Sequence, residues 1–419
     1  MKTIWIMNHY ATTPSNGPLP RHYYLAKRFV KCGYKVIIFA SNQLHATGTE
    51  VTIEKGKYAA VDENGIKFVF LKTLRYKGNG LKRIFNMVSF YFALLSNYKK
   101  ISSTFGKPDI VIASSAHLLT CVAGLKIAKR LKIPCISEVR DLWPEELFTA
   151  GKVKEKSLFG KLLLRMEKNI YLKSNEVVFT KPGDTDHIKE MRWNIENGGK
   201  IDLSKCHYIN NGVDFEEWNR NMKNCPFNTN LLNEKKHFFV GYSGSIRPMN
   251  NVELLVDAAE KLKEDNEIVF FIAGGGSLLE EIKHDAESRG LKNICFTGYI
   301  DKKYIPSFLS KMNLNILVYS SEKYNWTRGN SSNKLFEYMA SGKPVISTVK
   351  MGYSIIKQYN CGIELDKCDS SDLVEKIKYL KDCSAEEYNM YCRNSLKASK
   401  DFDFDFLSKQ YLRLIEKLI

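Results

Sequence analysis

The residues best placed to do chemistry lie in the stretch Asn330-Ser-Ser-Asn-Lys-Leu-Phe-Glu-Tyr-Met-Ala-Ser-Gly-Lys-Pro-Val-Ile346. Its pattern predicts a turn, a short helix and a buried strand. Ser331, Ser332 and Asn333 suit a helix N-terminus, where free N–H groups and partial positive charge can hold a phosphate. Lys334 adds a full positive charge there, followed by Leu335, and Glu337 lies one turn further on, able to accept a sugar hydroxyl. A phosphate seat with a carboxylate one turn away suits a nucleotide-sugar. A plain capped helix carries the same local pattern.

Other candidates follow predicted strands. Gly244-Ser245 leads to Arg247, a glycine that lets backbone approach a phosphate and an arginine that can clamp it. A tight turn with a solvated arginine reads the same way. Gly274 and Gly275 open a glycine run, but the third glycine position of the dinucleotide fingerprint is Leu279, which disfavours a nicotinamide-dependent oxidoreductase. His117 can accept a hydroxyl's proton or hold a sugar hydroxyl, or be a surface histidine at a helix start. Arg140 and Asp141 directly follow a predicted strand and read either as a structural pair or as groups on the acceptor or the leaving phosphate. Asp401-Phe-Asp-Phe-Asp405 is spaced like a metal-binding pair, but it precedes the last predicted helix and its phenylalanines suggest packing, so no metal is expected.

These residues must be positioned by alternating strands and helices. Strands are predicted at Ile4–Met7, Lys35–Ala40, Lys67–Leu71, Asp109–Ala113, Pro134–Val139, Val177–Thr180 and Tyr208–Asn210, with helices at Arg21–Cys32, Leu81–Lys100 and Leu118–Leu131. A second series puts strands at Phe238–Tyr242, Ile268–Ala273, Ile294–Thr297, Leu314–Val318 and Pro344–Ser347, with helices at Val252–Leu262 and Leu278–Arg289. This alternation indicates parallel sheets with helices on both faces, and ligands in such sheets bind beyond the carboxyl ends of the strands. The expected domains are 1–216 and 237–399, with a polar, Asn-rich linker at 217–236 and a C-terminal helix within 400–419 packing back on the first domain.

With 419 residues, 44% of them hydrophobic, the chain can bury two cores. The net charge of +17 favours an anionic partner. No acidic residue occurs between Glu63 and Asp109, a window holding nine basic residues from Lys67 to Lys107, Lys77, Lys82 and Arg83 among them. An apolar helix stripe beside them (Leu81, Ile84, Phe85, Val88, Phe92, Leu95) reads as a surface for an anionic bilayer or as a core helix with solvated lysines. The ten cysteines form no Cys-x-x-Cys pair and are expected as reduced thiols in a cytoplasmic chain. No run of about 20 apolar residues is present, and the first residues do not read as a signal peptide.

Several segments, in this order and spacing, resemble the retaining glycosyltransferases of family 4, which have the GT-B fold, and among them bacterial O-antigen and capsule enzymes of the L-fucosamine transferase type. They are Pro14–Gly17 with Arg21–Arg28, Glu138–Glu145, Ile209–Asp214, Gly241–Ser245, Phe296–Tyr299, Asn333–Ala340 and Gly342–Val345. The resemblance implies an α/β fold of two doubly wound Rossmann-like domains facing across a cleft. It implies a nucleotide-diphosphate-sugar co-substrate, a UDP-sugar or an N-acetylated amino sugar donor, and no other cofactor. The base would sit near Gly274 and Tyr299–Ile300, the diphosphate against Gly244-Ser245 and Ser332-Asn333-Lys334-Leu335, and the ribose on Glu337. The acceptor, a lipid-diphosphate-linked saccharide, would approach near Gly17, Arg21 and His117 at the inner face of a membrane, with the enzyme peripheral there. A front-face attack would retain the anomeric configuration without metal.

Three positions depart from the family pattern. Gly329 stands where many members have a first glutamate, with seven residues between it and the second, here Glu337, and Ser245 and Asn250 replace an arginine and a lysine, which leaves Arg247 to supply charge to the diphosphate. A nucleotide-sugar 2-epimerase of the same fold is an alternative reading. Charge alone would suggest a nucleic-acid-binding protein, but no recognition motif supports one and no nucleic acid is expected.

Overall fold

The computed structural model describes residues 1–17, 21–45, 48–76, 78, 80–229, 237–322 and 324–419. Lys77 and residues 230–236 of the expected linker lie outside them. The chain forms two compact units, one of Met1–Asn210 with Phe404–Ile419, the other of Asn211–Asp403.

In the first unit the order is β1 (Thr3–Met7), α1 (Arg21–Lys31), β2 (Lys35–Ser41), β3 (Tyr58–Glu63), β4 (Ile66–Leu71), α2 (Leu81–Phe105), β5 (Ile110–Ser114), α3 (Leu118–Leu131), β6 (Cys135–Val139), α4 (Trp143–Thr149), α5 (Leu158–Lys173), β7 (Glu176–Phe179), α6 (Asp184–Glu190) and β8 (Cys206–Tyr208). The strands form one sheet in the order β3-β4-β2-β1-β5-β6-β7-β8. Both faces are buried, so its central strands are nearly continuous apolar runs. Alternate residues serve opposite cores: Trp5 and Met7 face α2, α3 and α5, while Ile4 and Ile6 face α1. The all-parallel expectation needs one correction. β3 pairs antiparallel with β4 through a two-residue turn, Asn64-Gly65, in which both residues have positive φ (54° and 79°). That is the hairpin geometry an Asn-Gly pair favours.

The second unit runs through α7 (Phe215–Asn224), β9 (Phe238–Ser243), α8 (Glu253–Lys261), β10 (Ile268–Ala273), α9 (Leu279–Ser288), β11 (Ile294–Gly298), α10 (Ile305–Ser310), β12 (Leu314–Leu317), α11 (Asn333–Ala340), β13 (Val345–Ser347), α12 (Ile355–Tyr359), β14 (Gly362–Glu364), α13 (Ser370–Asp382) and α14 (Ala385–Asp401). Its sheet is parallel throughout, in the order β11-β10-β9-β12-β13-β14. α8, α9 and α13 cover one face; α10 and α11 cover the other.

The expected linker at 217–236 is corrected in its first part. Residues 217–224 belong to α7, whose N-terminus is capped by Asp214 accepting from the Glu217 N–H. Trp218 is buried in the same core as Phe239, Phe271 and Phe308. One aromatic anchor thus fixes a segment whose composition is otherwise polar. The chain returns to the first unit through α15 (Phe404–Leu418), which packs on α1 and buries Phe404, Leu407, Tyr411 and Ile415.

Candidate active site

In the second unit, backbone close approach builds the loops at the carboxyl ends of β9, β10 and β11. A Cβ on Gly274 would lie 1.8 Å from the Gly244 carbonyl oxygen, and one on Gly276 would lie 2.1 Å from that of Ile246. Gly274 donates to Gly298 O at 2.8 Å and Gly244 to Ala273 O at 2.9 Å. Gly274 is therefore required for loop packing, the plainer of its two expected roles. Gly275 is different: a Cβ there would meet nothing within 4 Å, so its backbone is open to approach. Tyr299 stands 75% exposed after β11, and Ile300 is half-buried against the core beneath it.

Lys334 lies in the first turn of α11, beside Gly244; a Cβ on that glycine would fall 2.8 Å from Lys334 Cδ. Its ammonium donates to Asn250 Oδ1 at 3.3 Å and reaches the Tyr242 hydroxyl at 3.5 Å. It also sits over the rings of Tyr319 and Tyr242, 4.6 and 5.0 Å from their centroids. Burial lowers its pKa to about 7, against the pull of Glu337. Glu337 follows three residues later on the same helix face. Burial raises its pKa, opposed by Lys302 and Lys334, and Lys302 Nζ is 3.9 Å from its carboxylate. Ser332 occupies the N-cap position but makes no side-chain capping bond; its own N–H is taken by Asn330 Oδ1 at 2.7 Å. Asn333 is half-buried and Leu335 fully so. Ser245 and Arg247 are both exposed.

Asn250, Tyr242, Tyr319 and Trp326 are site residues that the sequence did not single out as such. Asn250 stands where a family lysine was expected and connects two parts of the site. Its amide donates to Ser245 Oγ at 2.8 Å while its carbonyl oxygen holds Lys334. Trp326 packs against Tyr319 in a tilted arrangement, ring centroids 4.4 Å apart, and donates to Ser320 O. The missing first glutamate also has a backbone reason: Gly329 adopts φ 98°, ψ −168°, a conformation that strongly favours glycine.

In the first unit His117 is buried, not a surface histidine. Its Nε2 lies 2.6 Å from Nδ1 of His9, which stacks between Phe90 and Tyr10. The outer nitrogens, His9 Nε2 and His117 Nδ1, are buried without a hydrogen bond. Arg21, expected on the acceptor side, is corrected to a structural role. It is 3% exposed, and its guanidinium donates to Glu138 Oε2 at 2.9 and 3.1 Å and to the carbonyls of Ile209 and Asn210. Asp141 accepts from Lys181 at 3.1 Å. Half-buried Arg140 is held by its backbone, donating to Ser115 Oγ and accepting from Thr180 Oγ1. Gly17 packs against Thr12, where a Cβ would lie 3.1 Å from Cγ2. In the Asp401–Asp405 stretch, Asp405 pairs with Arg28, Asp401 accepts from Tyr359, and Phe402 and Phe404 are buried. Among the described residues no group of three or more His, Cys, Asp or Glu side chains is arranged to hold a metal ion.

The histidine pair predicts a pH dependence. Burial, then Arg83, pushes His117 down from 6.5 to about 3, and burial with the neighbouring His117 lowers His9. The unfolded chain therefore binds the additional protons between about 6.5 and 3. Stability is full above that window and declines as pH falls through it. Denaturation midpoints of the first unit are expected to drop from pH 6.5 to 5, and His117→Gln to flatten that slope by up to about one proton. An unchanged slope would show that the pair is not kept neutral.

Residues 21–217 match the family described as glycosyltransferase family 4, and residues 227–398 match glycosyl transferases group 1. The first half of the chain is thus similar to one glycosyltransferase family and the second half to another, each over slightly less than half of the sequence. It is 30% identical over 188 residues to O-antigen chain mannosyltransferase C of Escherichia coli, covering 44% of this chain and 47% of that one. It is 26% identical over 226 residues to poly(ribitol-phosphate) α-N-acetylglucosaminyltransferase of Staphylococcus aureus, covering 50% and 43%. The chain thus spans less than half the length of these curated relatives. In fold it resembles sucrose-phosphate synthase from Thermosynechococcus elongatus, with a TM-score of 0.72, 14% identity and coverage of 100% and 99% of the two chains. It also resembles the Anabaena protein HepE in complex with UDP-glucose, with a TM-score of 0.64, 14% identity and full coverage of both.

Proposed function

We propose that this protein is a retaining glycosyltransferase of surface-polysaccharide synthesis, moving a sugar from a UDP-sugar, with an N-acetylated amino sugar as one candidate, to a lipid-linked glycan. The observation that carries the reading is Lys334 and Glu337 on one face of α11, with Lys334 directly against Gly244. Lys334, aided by Arg247 and the helix N-terminus, stabilises charge on the departing diphosphate, and Glu337 accepts from the donor ribose. The bond between the anomeric carbon and the phosphate oxygen breaks as a bond to the acceptor oxygen forms on the same face. The acceptor's proton passes to the phosphate oxygen that leaves, so no metal and no further cofactor is needed. The names of the relatives support polysaccharide synthesis and do not favour a 2-epimerase or a nucleic-acid-binding protein. The complex of HepE with UDP-glucose supports the choice of donor nucleotide.

A thermal-shift screen of nucleotide sugars in excess chelator tests this, since a ligand of the native state stabilises it by mass action. One UDP-sugar is expected to raise the melting temperature, and Glu337→Ala to weaken its binding by about 1.5–3 kcal/mol while leaving the fold intact. No shift with any nucleotide sugar, or a shift that Glu337→Ala leaves unaltered, would contradict the assignment; a shift that needs added manganese would contradict metal independence.

A further inference from the structure

One face of the first sheet is covered by α2, α3 and α5, which lie side by side in that order. Their sequences contain a single acidic residue, Glu167. It is fully buried and spent on Tyr171 and His187, at 2.7 and 3.1 Å. The outer surface of these three helices therefore carries no carboxylate; lysines, arginines, apolar groups and a few hydroxyls such as Ser96 and Thr104 face solvent there, and one exposed acid, Glu155, precedes α5 among Lys152, Lys154 and Lys156. By contrast, α9 of the second unit carries Glu280, Glu281, Asp285 and Glu287.

The apolar groups are large and exposed. On α2, Leu81 is 74% exposed, Phe85 60% and Phe92 61%; on α5, Leu158 is 89% exposed, and Phe159 and Leu162 54% each. Leu158, Lys161, Leu162 and Arg165 repeat at helical spacing on the solvent side of α5. The topology puts both sets at one end. α2 ends five residues before β5 and α5 three residues before β7, and these strands are parallel, so both helices start at the strands' carboxyl ends and run antiparallel to the strands. At 1.5 Å per residue, the 25 residues of α2 rise about 37 Å and the 16 of α5 about 24 Å. The start of α5 is thus about level with Phe92, and Phe85 and Leu81 reach about 10 and about 16 Å further. The same end carries His9 and His117, which follow β1 and β5.

We propose that this helical layer is a bilayer-docking face, in which the N-terminal turns of α2 and α5 are two separate apolar insertion points and the basic residues between them meet anionic headgroups. It deepens the membrane-borne acceptor of the proposed function by naming a second anchor, α5, which no reading of the Lys67–Lys107 window includes. Charge complementarity selects the occupant: a strongly basic surface with isolated apolar tips suits an anionic lipid interface.

The test is flotation of the full chain with phosphatidylcholine vesicles, with and without phosphatidylglycerol, at rising salt. Binding is expected to require the anionic lipid and to weaken with salt. Phe159→Ser with Leu162→Ser, on α5 alone, is expected to weaken it by about tenfold, and Lys161→Glu with Arg165→Glu by about thirtyfold or more. The thermal shift produced by UDP should be unchanged in both, which separates a failure of docking from a failure of the donor site. No binding of the wild type to anionic vesicles, or α5 variants that bind like the wild type, would overturn the proposal. So would a concentration-dependent dimer in light scattering that the α5 changes abolish, because the face would then be covered by a second copy.

Discussion

Lys334→Ala is expected to lower turnover by more than tenfold, at least about 1.4 kcal/mol of transition-state stabilisation, and to change how donor binding depends on pH. Burial holds the Lys334 pKa near 7, so without donor the ammonium is only partly protonated at neutral pH. A diphosphate beside it favours the charged form and raises the pKa. Donor binding should then take up a proton from about pH 7 upward, and affinity should fall as pH rises through that range. Calorimetry of UDP binding at pH 8 in buffers of different ionisation enthalpy reads the uptake directly. A value approaching one proton in the wild type and near zero in Lys334→Ala is the expected pair. Arg247→Ala should also reduce turnover, but it should leave proton uptake intact, since Lys334 stays in place in the first turn of α11. Equal uptake in wild type and Lys334→Ala would remove Lys334 from the diphosphate.

The parts of the fold that were legible in the sequence are those set by local apolar patterning. The run Ile268–Ala273 and the helix Leu118–Leu131 fall where they were expected, because a strand buried on both faces and an amphipathic helix each write their period into the chain. Missed elements fall into two kinds. For β3 the signal was present: Asn64-Gly65 between two six-residue segments is a hairpin signature. α7 gave no such signal, because its register rests on one tryptophan meeting Phe239 and Phe308, residues distant in sequence.

The candidate site divides in the same way. Lys334 and Glu337 are three residues apart on one helix, so their shared face followed from spacing alone. Asn250 and Lys334 are 84 residues apart, and His9 and His117 are 108 apart. Such pairings depend on which strands neighbour each other, which a single sequence does not state. Arg21 shows the cost of that blindness. The resemblance places it beside the acceptor, yet its partner Glu138 lies 117 residues away on β6 and holds it buried.

That pair is the basis of the largest expected stability effect. Glu138 is fully buried and accepts from Arg21 (2.9 Å), Ser114 (2.7 Å) and the Tyr411 hydroxyl, with His22 Nε2 3.1 Å away. Burial alone would raise its pKa, but Arg21 and His22 hold the carboxyl well below its usual range. One carboxylate thereby ties together β5, β6, α1 and the C-terminal α15. Removing it leaves a buried guanidinium without its counter-charge, which typically costs about 3–5 kcal/mol, more than the pair adds when intact. Glu138→Ala is therefore expected to destabilise the first unit by about that amount. Tyr411→Phe deletes one hydrogen bond to the same carboxylate and should cost only about 1.5–3 kcal/mol. The two changes share a partner, so the double variant should lose less than their sum. Urea denaturation followed by a probe in the first unit measures all three. The network overlaps the histidine pair in its pH dependence: the depressed Glu138 carboxyl contributes above its unfolded pKa of about 4.3 and is lost below it, whereas His22, lowered by burial, acts with His9 and His117 from about 6.5 downward. A loss under about 1 kcal/mol in Glu138→Ala would mean that Arg21 finds water or another partner, and that α15 is held to the first unit by its apolar face alone.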